Sequence, residues 1–81
     1  MKPIETLIRN LLTIDRLQRS SKPIPTQELL NYVNDELEKR AFRIVTLRTL
    51  QRDFIDIELQ FGYKVKNNGY GYSIERAPGY M

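Results

Sequence analysis

Arg48, Thr49, Gln51 and Arg52 bring two guanidinium groups, a carboxamide and a hydroxyl into one short stretch, with no catalytic nucleophile or base among them. Such groups act by recognition. A guanidinium fork matches the O6 and N7 acceptors of guanine, and a carboxamide matches N6 and N7 of adenine. Arg48 and Gln51 are therefore the expected base readers, while Arg52 and Thr49 suit phosphate contacts equally well. Thr46 stands just ahead of this group. Lys64, Lys66, Asn67 and Asn68 form a second cationic and polar cluster further along.

The charge distribution adds to this reading. From Lys39 to Arg52 the chain carries Lys39, Arg40, Arg43, Arg48 and Arg52 without an acid, whereas residues 26–38 hold Glu28, Asp35, Glu36 and Glu38 without a base. The net charge of +3 is modest, so what counts is where the positive charge sits. A charge run alone is as easily explained as a solvated face.

Composition argues against other chemistries. The 81 residues contain no His and no Cys, so the commonest general base, the commonest zinc ligand and any thiolate are missing. There is no Gly-rich phosphate loop, and the carboxylates fall on helix faces where solvation accounts for them. No catalytic residue, metal or cofactor is expected, and the chain is not read as an enzyme. No apolar run approaches the ~20 residues of a membrane span, and the N-terminus lacks a signal-peptide core. A soluble, cytoplasmic domain without a membrane partner is the expectation.

The elements that would position these groups follow from periodicity. Ile4, Leu7, Leu11, Ile14 and Leu17 recur at steps of three and four, predicting an amphipathic helix from about Ile4 to Arg19. Pro23 and Pro25 hold the next residues extended. Thr26 is the expected N-cap of a second helix that buries Leu29, Leu30, Val33 and Leu37 and ends near Lys39 or Arg40. Thr46 is the expected cap of a third, running to about Gln60, with Leu47, Leu50, Phe54 and Ile57 on its inner face and Gly62 as its stop. The period then changes to two. Tyr63 and Val65 alternate with Lys64 and Lys66, Asn67-Asn68-Gly69 reads as a turn, and Tyr70, Tyr72 and Ile74 form the returning strand. These tyrosines could stack on bases, but their alternation with Gly and Ser favours packing on the helices. The fold expected is mainly α with a β-hairpin: a three-helix winged helix-turn-helix over residues 1–75. Residues 76–81 are read as the start of a linker to a further, C-terminal domain.

Ile14-Asp15-Arg16-Leu17-Gln18-Arg19-Ser20-Ser21-Lys22-Pro23, Thr26-Gln27-Glu28-Leu29-Leu30 and Thr46-Leu47-Arg48-Thr49-Leu50-Gln51-Arg52-Asp53 also resemble, in this order, the N-terminal domain of bacterial WYL-domain transcriptional regulators, which is similar to the DeoR type. The resemblance implies that the segment from Thr46 to Arg52 enters the major groove of double-stranded DNA, with the hairpin as a wing. It also implies a bacterial, nucleoid-associated location and a C-terminal domain that would bind any ligand.

Two features depart from that pattern. The segment from Gln27 to Val45 is longer than a minimal helix-turn-helix connection, which is expected to loosen the angle between the last two helices. Ile55 and Leu59 lie opposite the core stripe, on the face of Arg48 and Arg52. Three placements are open to them: a dimer or inter-domain interface, packing under the wing or the first helix, or simple exposure. Asp53 is expected to orient an arginine, Arg9 or Arg16, or to meet a backbone donor. The principal reading is sequence-specific duplex DNA binding by a transcriptional regulator. The alternative is a winged-helix protein-interaction module, with a homodimer formed through Ile55 and Leu59.

Overall fold

The computed structural model of the chain describes residues 4–76. Three helices, α1 (Ile4–Gln18), α2 (Thr26–Lys39) and α3 (Leu47–Phe61), precede a hairpin of β1 (Tyr63–Asn67) and β2 (Tyr72–Arg76). This is the winged helix-turn-helix arrangement predicted from periodicity. Arg76, expected to begin the linker, is instead the last residue of β2, paired with Tyr63; the rest of the expected linker, residues 77–81, lies outside the described residues. Among the described residues no helix is long and apolar enough to cross a membrane.

The core gathers one residue set from every element. Leu17, Ile24, Leu29, Val33, Leu37, Leu50 and Tyr72 are buried together, and Phe42, Val45, Leu47, Phe54, Val65 and Ile74 pack around them. α1 contributes differently from its sequence pattern. Its buried residues are Asn10, Thr13, Ile14 and Leu17, while Ile4, Leu7 and Leu11 remain exposed. Asn10 and Thr13 are thus polar residues of the core, and the buried Asn10 Oδ1 has no hydrogen-bond partner among the described residues. The Thr13 hydroxyl donates to the Arg9 carbonyl one turn back (2.9 Å), which removes much of the cost of burying it. Turned this way, α1 leaves its apolar outer face along a shallow groove of about 350 Å³ lined by Ile8, Leu11, Leu12, Asp15 and Arg40.

α2 begins one residue earlier in geometry than its sequence suggests. Pro25 occupies the cap position without a side-chain hydrogen bond, and Thr26 is the first helical residue rather than the cap. Proline has no N–H to leave unsatisfied there. At the other end the chain reverses through Ala41, whose φ of 60° is the only positive value at a non-glycine among the described residues. The Phe42 N–H donates to the Leu37 carbonyl (2.8 Å) and the Ala41 N–H to that of Glu38 (3.0 Å), a Schellman closure that satisfies two terminal carbonyls.

The connector that follows is not loose, contrary to the expectation from its length. The Asn34 side chain reaches out of α2 and clamps Val45, donating Nδ2–H to its carbonyl and accepting its N–H, both at 2.9 Å. One carboxamide thus acts as a strand partner for the residue just ahead of α3 and sets the angle between α2 and α3.

The hairpin pairs antiparallel, with Val65 opposite Ile74 and Asn67 opposite Tyr72. It also gains a third backbone contact that periodicity did not reveal. Ile24 and Tyr72 exchange two hydrogen bonds, at 2.9 and 2.8 Å, forming an isolated bridge. Pro23 and Pro25 flank it and cannot donate, so the pairing stops at one residue. The returning strand starts at Tyr72, two residues later than the alternation predicts. Tyr70 therefore falls in the turn and is exposed, whereas Tyr72 is buried.

Candidate nucleic-acid interface

α3 separates its two jobs by face. Thr46 caps it as predicted, its hydroxyl accepting the Thr49 N–H at 3.4 Å, and Gly62 ends it in the left-handed conformation (φ 74°). Leu50, Asp53 and Ile57 are buried, with Leu47 and Phe54 half-buried beside them. On the opposite side Arg48, Arg52, Ile55 and Leu59 form one continuous exposed strip, as their spacing of three and four residues requires. Gln51 is exposed at its edge, and Thr49 is half-buried.

The inward orientation is held by an ion pair. Asp53, only 3 % exposed, receives Arg9 Nε–H at 2.6 Å and Nη2–H at 2.9 Å. The side-chain hydrogen bond to Asp53 raises the Arg9 pKa above its ordinary value, outweighing the opposing effect of burial. Asp53 thus orients an arginine, and of the two arginines expected it is Arg9. Arg16 pairs with Glu28 instead, at 3.4 Å.

Ion pairing elsewhere makes the exposed strip of α3 stand out. Arg19 meets Asp15, and Lys39 and Arg40 share Glu36. Among the described residues, Lys22, Arg43, Arg48, Arg52, Lys64 and Arg76 have no carboxylate partner. Three of these six, all arginines, stand in the connector and the first half of α3. Arg43 belongs with the candidate site although the sequence reading did not single it out; the acid-free run from Lys39 to Arg52 was the signal.

The wing is less basic than its lysines suggest. Lys66 Nζ lies 3.3 Å from Glu75 Oε1, and Lys64 is directly opposite Glu75 in the ladder. One carboxylate therefore offsets part of both charges, a weak and screened effect at this exposure. Asn67 has a local duty, its Oδ1 accepting the Gly69 N–H at 3.0 Å to shape the turn. Asn68 is exposed at the tip.

The wing and α3 are joined through Tyr72. Its ring meets Phe54 edge-on, centroids 4.8 Å apart, and its hydroxyl accepts from Gln51 Nε2 at 3.3 Å. One predicted base reader is thus tethered to the wing, which orients its amide before any partner arrives. Among the described residues no group of three or more Asp, Glu, His or Cys could hold a metal ion. Compared with protein-family models, curated proteins and solved structures, the chain matches none.

Proposed function

We propose that this chain is a duplex DNA-binding domain in which the first half of α3 enters the major groove. One observation carries the reading: Arg43 in the connector and Arg48 and Arg52 on the exposed face of α3 lack carboxylate partners among the described residues, and the other face of this capped helix is core. Unpaired cations on a rigid element suit a polyanion, because each phosphate contact releases condensed counterions. Arg48 and the tethered Gln51 are the proposed base readers. Arg43, Arg52 and Thr49 hold the phosphates, with Thr46, Lys64, Lys66 and Asn68 contributing at the margins. The resemblance to the N-terminal domain of bacterial WYL-domain regulators agrees with this assignment, and with it a role in transcriptional regulation.

Titration of a random duplex at several salt concentrations tests the proposal. Log K against log salt should fall by roughly 0.9 per phosphate contact, and Arg52→Ala should reduce that slope by about 1. Sequences selected from a random pool should shift in base preference with Arg48→Ala or Gln51→Ala but not with Lys64→Ala. Affinity that stays flat across a tenfold salt range overturns the reading.

A second reading has its own observation. Ile55 and Leu59 are 63 % and 67 % exposed on the same strip, an arrangement that suits a contact with a second copy or another domain. In that case an interface would occupy the second half of α3, beyond the residues proposed to enter the groove.

A further inference from the structure

α1 is apolar on two sides. Its inner side supplies Ile14 and Leu17 to the core, yet on the other Ile4, Leu7 and Leu11 are 64, 40 and 49 % exposed. Ile8 and Leu12, half-buried, border them. Steps of three and four put these five side chains in one stripe, and polar residues return to that side only at Asp15 and Gln18. A helix that is apolar nearly all round is normally covered. Here the described residues leave much of the stripe in water.

The stripe has a projection at one end and a hollow at the other. Ile4 is the most exposed of its side chains. Seven and eight residues on, Leu11 and Leu12 join Ile8, Asp15 and Arg40 in lining the groove of about 350 Å³, which has room for a branched side chain. At 1.5 Å per residue the two features are about 10–12 Å apart along the helix. A two-fold axis between them, beside Leu7 and Ile8, turns a second copy antiparallel and seats the Ile4 of each in the groove of the other.

Charge follows the same symmetry. Glu5 stands seven residues before Leu12, hence on the same flank of the stripe. It is exposed and makes no ion pair among the described residues. Arg40, beside Leu12 in the groove, engages Glu36 through Nη1, which leaves Nε and Nη2 for a second carboxylate. The two-fold axis keeps each flank on its own side, so it carries Glu5 of one copy towards Arg40 of the other. With Glu5 and Asp15 along its borders, the stripe is a poor match for an anionic lipid surface.

We propose that the outer stripe of α1 is a self-association surface, on which a second copy of this chain docks antiparallel about a two-fold axis near Leu7 and Ile8. The inference does not depend on the DNA-binding reading. α1 meets the inner face of α3 through Arg9 and Asp53, so the pairing leaves Arg48 and Arg52 of both copies uncovered. One helix face is small beside the roughly 800 Å² per partner of a standard interface, so the chain alone should associate weakly, at about 10⁻⁴ to 10⁻³ M.

Sedimentation equilibrium and amide NMR spectra of the full chain, from well below that range to above it, test the proposal. Wild type should dimerise, with concentration-dependent shifts confined to residues 4–15 and the neighbourhood of Arg40. Leu11→Glu should weaken association more than about tenfold, because it places a charge in the apolar contact. Glu5→Arg and Arg40→Glu should each weaken it by about two- to tenfold, and the two combined should restore it. The chain has no cysteine, so Leu7→Cys sets a single thiol beside the axis and should cross-link to its copy under mild oxidation, whereas Ile55→Cys should not. A chain that stays monomeric throughout overturns the proposal. So does a dimer that Ile55→Cys traps and Leu7→Cys does not, which assigns the contact to the end of α3. Monomers that bind phosphatidylcholine vesicles through the same residues overturn it too, in favour of lipid. Should Leu11→Glu unfold, the charge exchange decides: a double variant no better than either single one means that the antiparallel docking is wrong.

Discussion

Arg9 and Asp53, 44 residues apart in the chain, are joined by two hydrogen bonds that fix the inner face of α3 against α1. A charge in a partly buried pair costs most when its partner is removed. Asp53→Ala should therefore destabilise the domain by about 3 kcal/mol, the low end for breaking a buried pair because Arg9 keeps some exposure. Replacing both residues, Arg9→Met with Asp53→Leu, should recover most of that loss. Urea denaturation of the three variants checks this, and equal midpoints for wild type and Asp53→Ala would sink it. Because the Arg9 pKa is raised from an already high value, its contribution is present below that range and should not vary near neutral pH.

The reversal at Ala41 predicts a stabilising substitution. A left-handed residue with a Cβ is strained, so Ala41→Gly should raise stability by about 0.5–1 kcal/mol despite the greater freedom it gives the unfolded chain. Asn34→Ala should act in the opposite sense, by about 1–3 kcal/mol, as it leaves the Val45 N–H and carbonyl without their partner. Thermal midpoints and amide exchange at Val45 report both effects. Unchanged exchange at Val45 in Asn34→Ala would show that the clamp is not formed.

Glu36 sets a weak acid limit. Lys39, hydrogen-bonded to its carboxylate, and then Arg40 hold the Glu36 pKa below its ordinary 4.5. A depressed folded-state pKa stabilises above the unfolded value and is lost as pH falls through the folded one. Glu36→Gln should accordingly leave the acid side of the stability curve slightly flatter below about pH 4.5. Curves of identical shape from pH 2 to 6 would remove Glu36 from the account.

Ile55 and Leu59 separate the two functional readings. Their exposure excludes packing beneath the wing or α1, so replacing both with Glu should leave the unfolding midpoint within about 0.5 kcal/mol of wild type. If they form an interface, the double variant should abolish dimers seen by sedimentation and weaken binding to paired half-sites more than to one. A variant that keeps wild-type association leaves DNA reading as the only role of this strip. Loss of the fold would instead assign both residues to the core.

The sequence by itself determined the local structure, because local structure depends on spacing and caps. The 3.6-residue recurrence of Leu47, Leu50, Phe54 and Ile57, Thr46 ahead of it and Gly62 behind it were enough to define α3 and to place Arg48, Arg52, Ile55 and Leu59 on its outer side. The alternation after Gly62 likewise defined the hairpin. Tertiary structure decided whatever depended on a distant partner. The rotation of α1 goes with the Arg9–Asp53 pair, a partner 44 residues away, although the apolar spacing of Ile4, Leu7 and Leu11 pointed to another face. Asn34, a poor helix former with no local reason for its position, found its reason in Val45 eleven residues on. The bond from Gln51 to Tyr72 and the displacement of Tyr70 into the turn followed from Ile24 pairing with Tyr72. Backbone pairing between segments 48 residues apart leaves no periodic trace in either one, so only the folded chain could decide which tyrosine is core and which faces water.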